Sequence, residues 1–159
     1  MLGMCTPKSL YARYEQIVHG PLEELAQRLC SPDLDSELNV VAETLVDGSP
    51  AVVGIAQLLT DLQRSTAEYA LLVADPWQSK GLGSAFTDCC LRLAEAWGIC
   101  RVVAEFLPEN TRIIRILEKR SFDMYRDVRE RVVCGQKRIR LENAEGRAGV
   151  PSPPRPDAS

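Results

Sequence analysis

An α+β fold, with a mixed central sheet flanked by helices, is what this sequence predicts, and three observations carry the prediction. The apolar run 69–74 feeds into Gln78-Ser79-Lys80-Gly81-Leu82-Gly83-Ser84, and an amphipathic segment, 82–97, follows: strand, glycine loop, helix. A further apolar run, 101–106, comes next. Strand, helix and strand at this spacing imply a right-handed crossover and a parallel pair. Ahead of the loop lie three β-rich runs separated by turn residues, the pattern of an antiparallel meander.

The elements follow in order. Residues 9–19 place Leu10, Tyr14, Ile17 and Val18 at helical spacing, and Gly20-Pro21 breaks the segment. Pro21 suits the first turn of a second helix, where Glu23 and Glu24 meet the positive end of the dipole. Leu22, Leu25, Ala26 and Leu29 form its apolar face. Strands are expected at 40–46, 51–59 and 68–74, with Asp47-Gly48-Ser49-Pro50 as a hairpin turn and 61–66 as a polar loop. The third strand is apolar almost throughout, which predicts a central place covered on both faces. The helix that starts at Gly81 is expected to bury Leu82, Ala85, Phe86, Cys89, Leu93, Ala94 and Trp97, and Gly98 ends it. After the strand at 101–106, Pro108-Glu109-Asn110 opens a last helix with Ile113, Ile116 and Leu117 inward. Segments 122–128 and 132–141 read as closing strands, and Cys134-Gly135-Gln136 fits a turn or a kink equally well. Arg126, Arg129, Arg131, Lys137, Arg138 and Arg140 are interleaved with acids, which predicts a solvated strand face, with a substrate-docking edge as the alternative.

A chain of 159 residues holds one domain with a real core. The expected division is an N-terminal extension at 1–8, the domain at 9–142 and a tail at 143–159. That tail carries Pro151, Pro153, Pro154 and Pro156, has almost no apolar content and cannot offset its ordering entropy. A net charge of −3 argues against nucleic acid or an anionic membrane as a global partner. No apolar run reaches membrane-spanning length, and the N-terminus lacks a signal-peptide core, so a cytoplasmic protein is expected. The six cysteines form no C-x-x-C pattern and His19 stands alone, so no metal is expected. The cysteines read as reduced thiols, mostly buried; a cysteine nucleophile would have only His19 as partner.

Chemistry concentrates at the glycine loop. Glycines let a backbone approach a ligand closely, and a helix N-terminus offers unpaired N–H groups and the positive dipole end. Lys80 adds a positive charge beside it. This is an anion-binding turn, unless the glycines serve packing alone. A dinucleotide fingerprint would need a small residue where Phe86 stands, and the P-loop spacing does not fit. The pattern that fits is Q-x-x-G-x-G: Gln78, Gly81 and Gly83.

That spacing resembles the pyrophosphate-binding loop of the GNAT acyltransferases, which hold acetyl-CoA. The order of elements is similar to that family from about residue 9 to 142. The runs Ala67-Glu68-Tyr69, Asp75-Pro76-Trp77-Gln78-Ser79-Lys80-Gly81-Leu82-Gly83, Glu105-Phe106-Leu107-Pro108-Glu109-Asn110 and Leu117-Glu118-Lys119-Arg120-Ser121-Phe122 are similar to one subgroup. That subgroup is the bacterial protein lysine acetyltransferase domains often joined to acyl-CoA synthetase-like or cyclic-nucleotide-binding domains. Three departures stand out. The family's first strand is missing, since residues 1–9 are a poor substitute for it, which leaves truncation, a second chain completing the sheet as in a homodimer, or an exposed edge. Ser121 replaces a glycine after the last helix, so that turn is expected to differ. Leu117 stands where many relatives carry a tyrosine acid, as it often does in the protein-acetylating subgroup.

The resemblance implies an N-acetyltransferase that uses acetyl-CoA as cosubstrate, with a protein lysine or a small amine as acceptor. It implies Glu68 as general base, with Glu105 as runner-up and a plain surface carboxylate as the bland reading of Glu68. It implies backbone N–H groups near Leu72 and Val73 for the thioester oxygen and the pantetheine arm. Backbone N–H groups of Gln78, Ser79, Lys80, Gly81, Leu82, Gly83 and Ser84 would take the pyrophosphate. Asn110 would touch the pantetheine arm or simply cap its helix. The reading from another class is a non-catalytic domain that binds acyl-CoA or a partner.

Overall fold

The computed structural model describes residues 1–14 and 21–140. Among them, six strands and four helices follow in the predicted order: α1 (Pro7–Tyr14), α2 (Leu22–Cys30), β1 (Glu37–Val46), β2 (Ser49–Thr60), β3 (Thr66–Val73), α3 (Leu82–Ala96), β4 (Arg101–Phe106), α4 (Thr111–Glu118), β5 (Asp123–Asp127) and β6 (Val132–Arg138). They build one sheet in the order β1-β2-β3-β4-β6-β5. Only β3 and β4 pair in parallel; every other pair is antiparallel. The fold is α+β with a mixed sheet, as the sequence predicts.

Local chemistry explains the joints. Val46 pairs with Ser49 across Asp47 and Gly48, whose φ values of 50° and 80° are what a two-residue hairpin turn needs. Ser121 takes φ 56°, the left-handed conformation that glycine would adopt. Phe122 N–H reaches Leu117 O at 3.2 Å and Ser121 N–H reaches Glu118 O at 3.0 Å. The turn therefore keeps its helix-ending form, contrary to expectation: serine tolerates a left-handed position at a cost rather than refusing it. Gly135 lies mid-strand between Ala104 and Met124, so Cys134-Gly135-Gln136 is neither turn nor kink.

The main core lies on one face of the sheet. Ala56, Leu58, Ala67, Tyr69, Val102, Ala104 and Phe106 meet Phe86, Cys90 and Ala94 of α3 and Ile113 and Leu117 of α4. The α3 stripe differs from the prediction: Ala85 is exposed and Cys89 half-buried, while Thr87 and Cys90 are buried. Thr87 tolerates burial because its hydroxyl donates to Gly83 O at 2.8 Å and accepts the Tyr69 phenol at 3.0 Å. Burial pushes the Cys90 thiol up to about 12. None of the six cysteines is in a disulfide, but only Cys90 and Cys134 are buried, and Cys30 and Cys100 are exposed. The expectation of mostly buried thiols is corrected accordingly. Ile17, Val18 and His19 of the first predicted helix lie outside the described residues, as does the tail at 143–159.

On the other face Leu2, Leu10, Ile55 and Leu72 form a second cluster, with Leu22, Leu25, Ala26 and Leu29 of α2 packed against it. No strand precedes β1 among the described residues; Leu2–Met4 is a short 3-10 turn that tucks Leu2 under the sheet. No helix among them is long and apolar enough to cross a membrane.

Candidate functional site

The sheet positions the site by coming apart. β3 and β4 pair only from Thr66/Arg101 to Glu68/Val103, and no later residue of β3 pairs with β4. The α3 crossover brings the two strands together, and the gap opens immediately past Glu68. Strand alternation decides which amides face it. Ser65 O accepts Cys100 N–H on the β4 side at 2.9 Å, and Ala74 N–H donates to Val53 O on the β2 side at 2.9 Å. Between these ends, the amides of Leu71 and Val73 turn toward the gap, and that of Leu72 turns to β2. The Leu72 side chain is buried in the second core. Of the expected pair Leu72 and Val73, Val73 thus faces the gap with Leu71 beside it. The parity of the third strand was the signal for Leu71.

The glycine loop closes one end of the gap. Asp75–Trp77 is a 3-10 turn; Ser79 and Gly81 then take φ 60° and 88°, and α3 begins. No side chain caps α3, and the first recorded N–H to close back on its start is Ala85 to Gly81 O at 3.0 Å. Leu82, Gly83 and Ser84 therefore present their N–H groups outward, as anion binding requires. A Cβ at Gly81 would meet nothing within 4 Å, so the space before this turn is open. Gly83 differs: a Cβ there would stand 3.1 Å from Ile116 Cδ1 and 3.4 Å from Leu71 Cδ2. Gly83 lets α3 approach α4, so packing is part of its role. Lys80 rests its ammonium 5.9 Å from the Trp77 ring centroid.

Gln78 holds this loop in shape. Its Nε2 lies 3.0 Å from Val73 O, 2.8 Å from Asp75 Oδ1 and 3.1 Å from Ser9 Oγ, and its Oε1 accepts from Arg112 of α4. The side chain is spent on the protein, which leaves the backbone for a ligand. Asp75 extends the tie to α1, accepting Thr6 N–H at 2.8 Å and the Ser9 hydroxyl at 2.5 Å. Partial burial pushes the Asp75 carboxyl up, but these donors outweigh it and hold its pKa below the ordinary range. Arg120, in the turn after α4, secures the start of α3, donating to Ser84 O at 3.0 Å and Ile116 O at 3.0 Å and gripping both Asp88 oxygens at 2.6 Å.

Two carboxylates look onto the gap. Glu68 is the last residue of the β3–β4 ladder; it is exposed and has no hydrogen bond or ion pair among the described residues. Glu105 lies two residues beyond Val103 on β4, on the same sheet face, with Cys134 Sγ 4.0 Å from its Oε1. Asn110 occupies the N-cap position of α4, but its side chain makes no capping bond. Its amide is therefore not committed to the helix.

Beside Glu68 a cleft of about 670 Å³ runs between α1–α2 and the sheet. Arg13, Tyr14, Arg28, Glu37, Gln57 and Glu68 are among its walls. Gln57 is 95% buried and fully bonded: Arg13 Nη2 donates to its Oε1 at 2.6 Å, and its Nε2 donates to Glu37 Oε1 at 2.7 Å and Asn39 Oδ1 at 3.0 Å. Sequence reasoning missed this wall. The one signal was Gln57 itself, a polar residue inside an apolar run. Among the described residues no cluster of side chains has the makings of a metal site.

A family model described as the acetyltransferase (GNAT) family matches residues 8–122. Among solved structures, the chain is similar to the GNAT domain of S. lividans PAT, with a TM-score of 0.71, 20% identity, and 86% of this chain and 80% of that one covered. It is also similar to spermidine N-acetyltransferase from Vibrio cholerae in complex with CoA and spermine, with a TM-score of 0.67, 15% identity and 83% of each chain covered. A third likeness is to the cAMP-binding acyltransferase from Mycobacterium smegmatis, with a TM-score of 0.59, 22% identity, and 89% of this chain but 43% of that one covered.

Proposed function

This chain belongs to the GNAT acetyltransferase family, and from that premise we propose that it moves an acetyl group from acetyl-CoA to an amine, with a protein lysine as acceptor and Glu68 as general base. One observation carries the reading: the Glu68 side chain has no hydrogen bond or ion pair among the described residues where β3 and β4 part, beside the cleft.

Acetyl-CoA supplies a thioester whose acyl carbon a neutral amine attacks. The residues present fit it: outward N–H groups of Leu82, Gly83 and Ser84, open space at Gly81 and a loop braced by the Gln78 side chain. These amides, with those of Gln78, Ser79 and Lys80, would hold the pyrophosphate. The gap-facing amides of Leu71 and Val73 would bind the pantetheine arm and the thioester oxygen. The free side-chain amide of Asn110 would reach the arm from α4. Lysine has a pKa of about 10.4, so presenting it neutral at pH 7 costs about 4–5 kcal/mol. Glu68 takes the ammonium proton before attack, which recovers part of the cost. The C–N bond then forms as the C–S bond breaks, and CoA leaves as the thiol, taking the second proton that the amine loses. Glu105, on the same face, is the alternative base.

The similarity of Asp75-Pro76-Trp77-Gln78-Ser79-Lys80 to the protein lysine subgroup supports a protein acceptor. A small amine is the near alternative, and a spermidine N-acetyltransferase shares the fold. A non-catalytic module is the reading from another class: the missing first strand and Ser121 favour it, although the turn at Ser121 keeps its helix-ending form. Six cysteines without a disulfide suit a reducing compartment, the cytoplasm.

A melting scan tests the cosubstrate. Acetyl-CoA at a hundred times its Kd stabilises the native state by about 2.7 kcal/mol. No shift at millimolar acetyl-CoA would sink the assignment, and thiol release against lysine peptides tests transfer itself.

A further inference from the structure

Charged residues of both signs line the cleft beside Glu68, and one polar group there lacks a partner among the described residues. Tyr14 lines the cleft, and its hydroxyl oxygen is buried with no hydrogen-bond partner among the described residues. A buried phenol without an acceptor is a donor waiting for one. Burial pushes its pKa up, against the pull of Arg13 and Arg28, so it stays protonated and can donate.

The ionic groups around it sort themselves. Glu37 is answered by Arg13 through Gln57, whose amide links the two. Asp33 accepts from Ser36 and Asp35 and feels the charge of Arg64. Two charged groups of the lining then have no hydrogen bond or ion pair among the described residues: Arg28 on α2 and Glu68 on β3. Arg28 and the Tyr14 hydroxyl are donors on the helix side. Glu68 is an acceptor on the sheet side, at the gap.

We infer that the cleft binds an acceptor bearing a carboxylate next to its reactive amine, the amine at Glu68 and the carboxylate at Arg28 and the Tyr14 hydroxyl. This deepens the acetyl-transfer reading and rests on it. An acidic residue flanking a protein lysine and the α-carboxylate of a free amino acid share that chemistry. A polyamine has no anion for Arg28, and brings a second cation toward it.

The test is steady-state thiol release from acetyl-CoA with five acceptors. These are a peptide with Lys followed by Glu, the same peptide with Gln in place of Glu, free lysine, lysinamide and spermidine. The carboxylate member of each pair has the higher kcat/KM, by about ten- to a hundredfold, because a charge-assisted pair is lost in the amide. Preference within the peptide pair alone points to a protein source, and within the lysine pair alone to a free amino acid. Arg28→Gln brings the ratio toward one, through KM. Tyr14→Phe also raises KM for the carboxylate acceptor, while its melting temperature holds or rises, since it removes an unsatisfied hydroxyl. Equal rates for carboxylate and amide, or spermidine as the best acceptor, leave acetyl transfer standing and overturn this inference alone. A drop in melting temperature with unchanged KM for Tyr14→Phe makes that hydroxyl structural and overturns its part. If no acceptor is acetylated although acetyl-CoA binds, the transfer reading falls and this one falls with it.

Discussion

Replacing Arg120 with methionine tests how the start of α3, after the glycine loop, is held. The guanidinium makes four bonds from a side chain only 16% exposed: two to Asp88 at 2.6 Å, one to Ser84 O and one to Ile116 O. Methionine keeps the stem and removes all four. The fork on a carboxylate would be strong if buried, but Asp88 is 49% exposed, so solvent screening leaves it about 1 kcal/mol. The two carbonyl bonds add about 1 kcal/mol or slightly less each. The expected loss is about 2–3 kcal/mol, a fall in Tm of roughly 6–9 °C for a domain of this size. The loss depends on pH. Hydrogen bonding to Arg120 holds the Asp88 carboxyl below its ordinary pKa. A depressed folded-state pKa gives stability that is complete above the unfolded value of about 3.9 and is lost as pH falls through the folded value. The gap between wild type and Arg120→Met is therefore constant at neutral pH and narrows below about pH 4. Thermal melts from pH 3 to 8 measure it. An equal Tm at pH 7 would refute the load placed on Arg120. A gap of the same size at pH 3 would mean that the carbonyl bonds and packing, not Asp88, carry the effect.

Ser121→Gly relieves a left-handed serine and stabilises the protein by about 0.5–1 kcal/mol in a denaturant titration; no gain would mean the turn is unstrained. Gly83→Val drives a branched side chain at Ile116 and costs about 1–3 kcal/mol, and adding Ile116→Val recovers part of it. Absence of recovery would take the contact out of the account. Gly81→Ala costs about 1–2 kcal/mol through its φ of 88° alone, so Ile116→Val leaves its deficit untouched.

Much of the fold was legible because hydrophobic period is a local signal. The run 69–74, the glycine loop and the helix after it read directly, and so did the parallel pair they imply. What the sequence hid depends on partners far along the chain. Thr87 is buried because Tyr69, 18 residues earlier, bonds to it, and this moves the α3 stripe from Ala85 and Cys89 to Thr87 and Cys90. The particular partner that Gly83 packs against was hidden, because no local pattern shows Ile116 leaning on it. Leu71 was overlooked in favour of Leu72 because amide direction follows from where the ladder begins at Ser65. Tyr14 and Arg28 sit on helices whose own periodicity says nothing of a cleft they share with Glu68.

The pH–rate profile of Glu68→Gln against wild type, on one lysine acceptor with saturating acetyl-CoA, tests the central claim most directly. Glutamine keeps the shape and loses the proton acceptor, while the loop amides that would bind acetyl-CoA lie ten residues on and are untouched. The account predicts normal acetyl-CoA binding and a rate at pH 7 lower by roughly 10²–10⁴-fold. It predicts that the deficit shrinks as pH approaches about 10.4, where the amine is neutral without help. A wild-type rate at pH 7 would contradict it and move the proton to Glu105 or water, and a deficit that stays constant to high pH would make Glu68 a positioning group rather than the base.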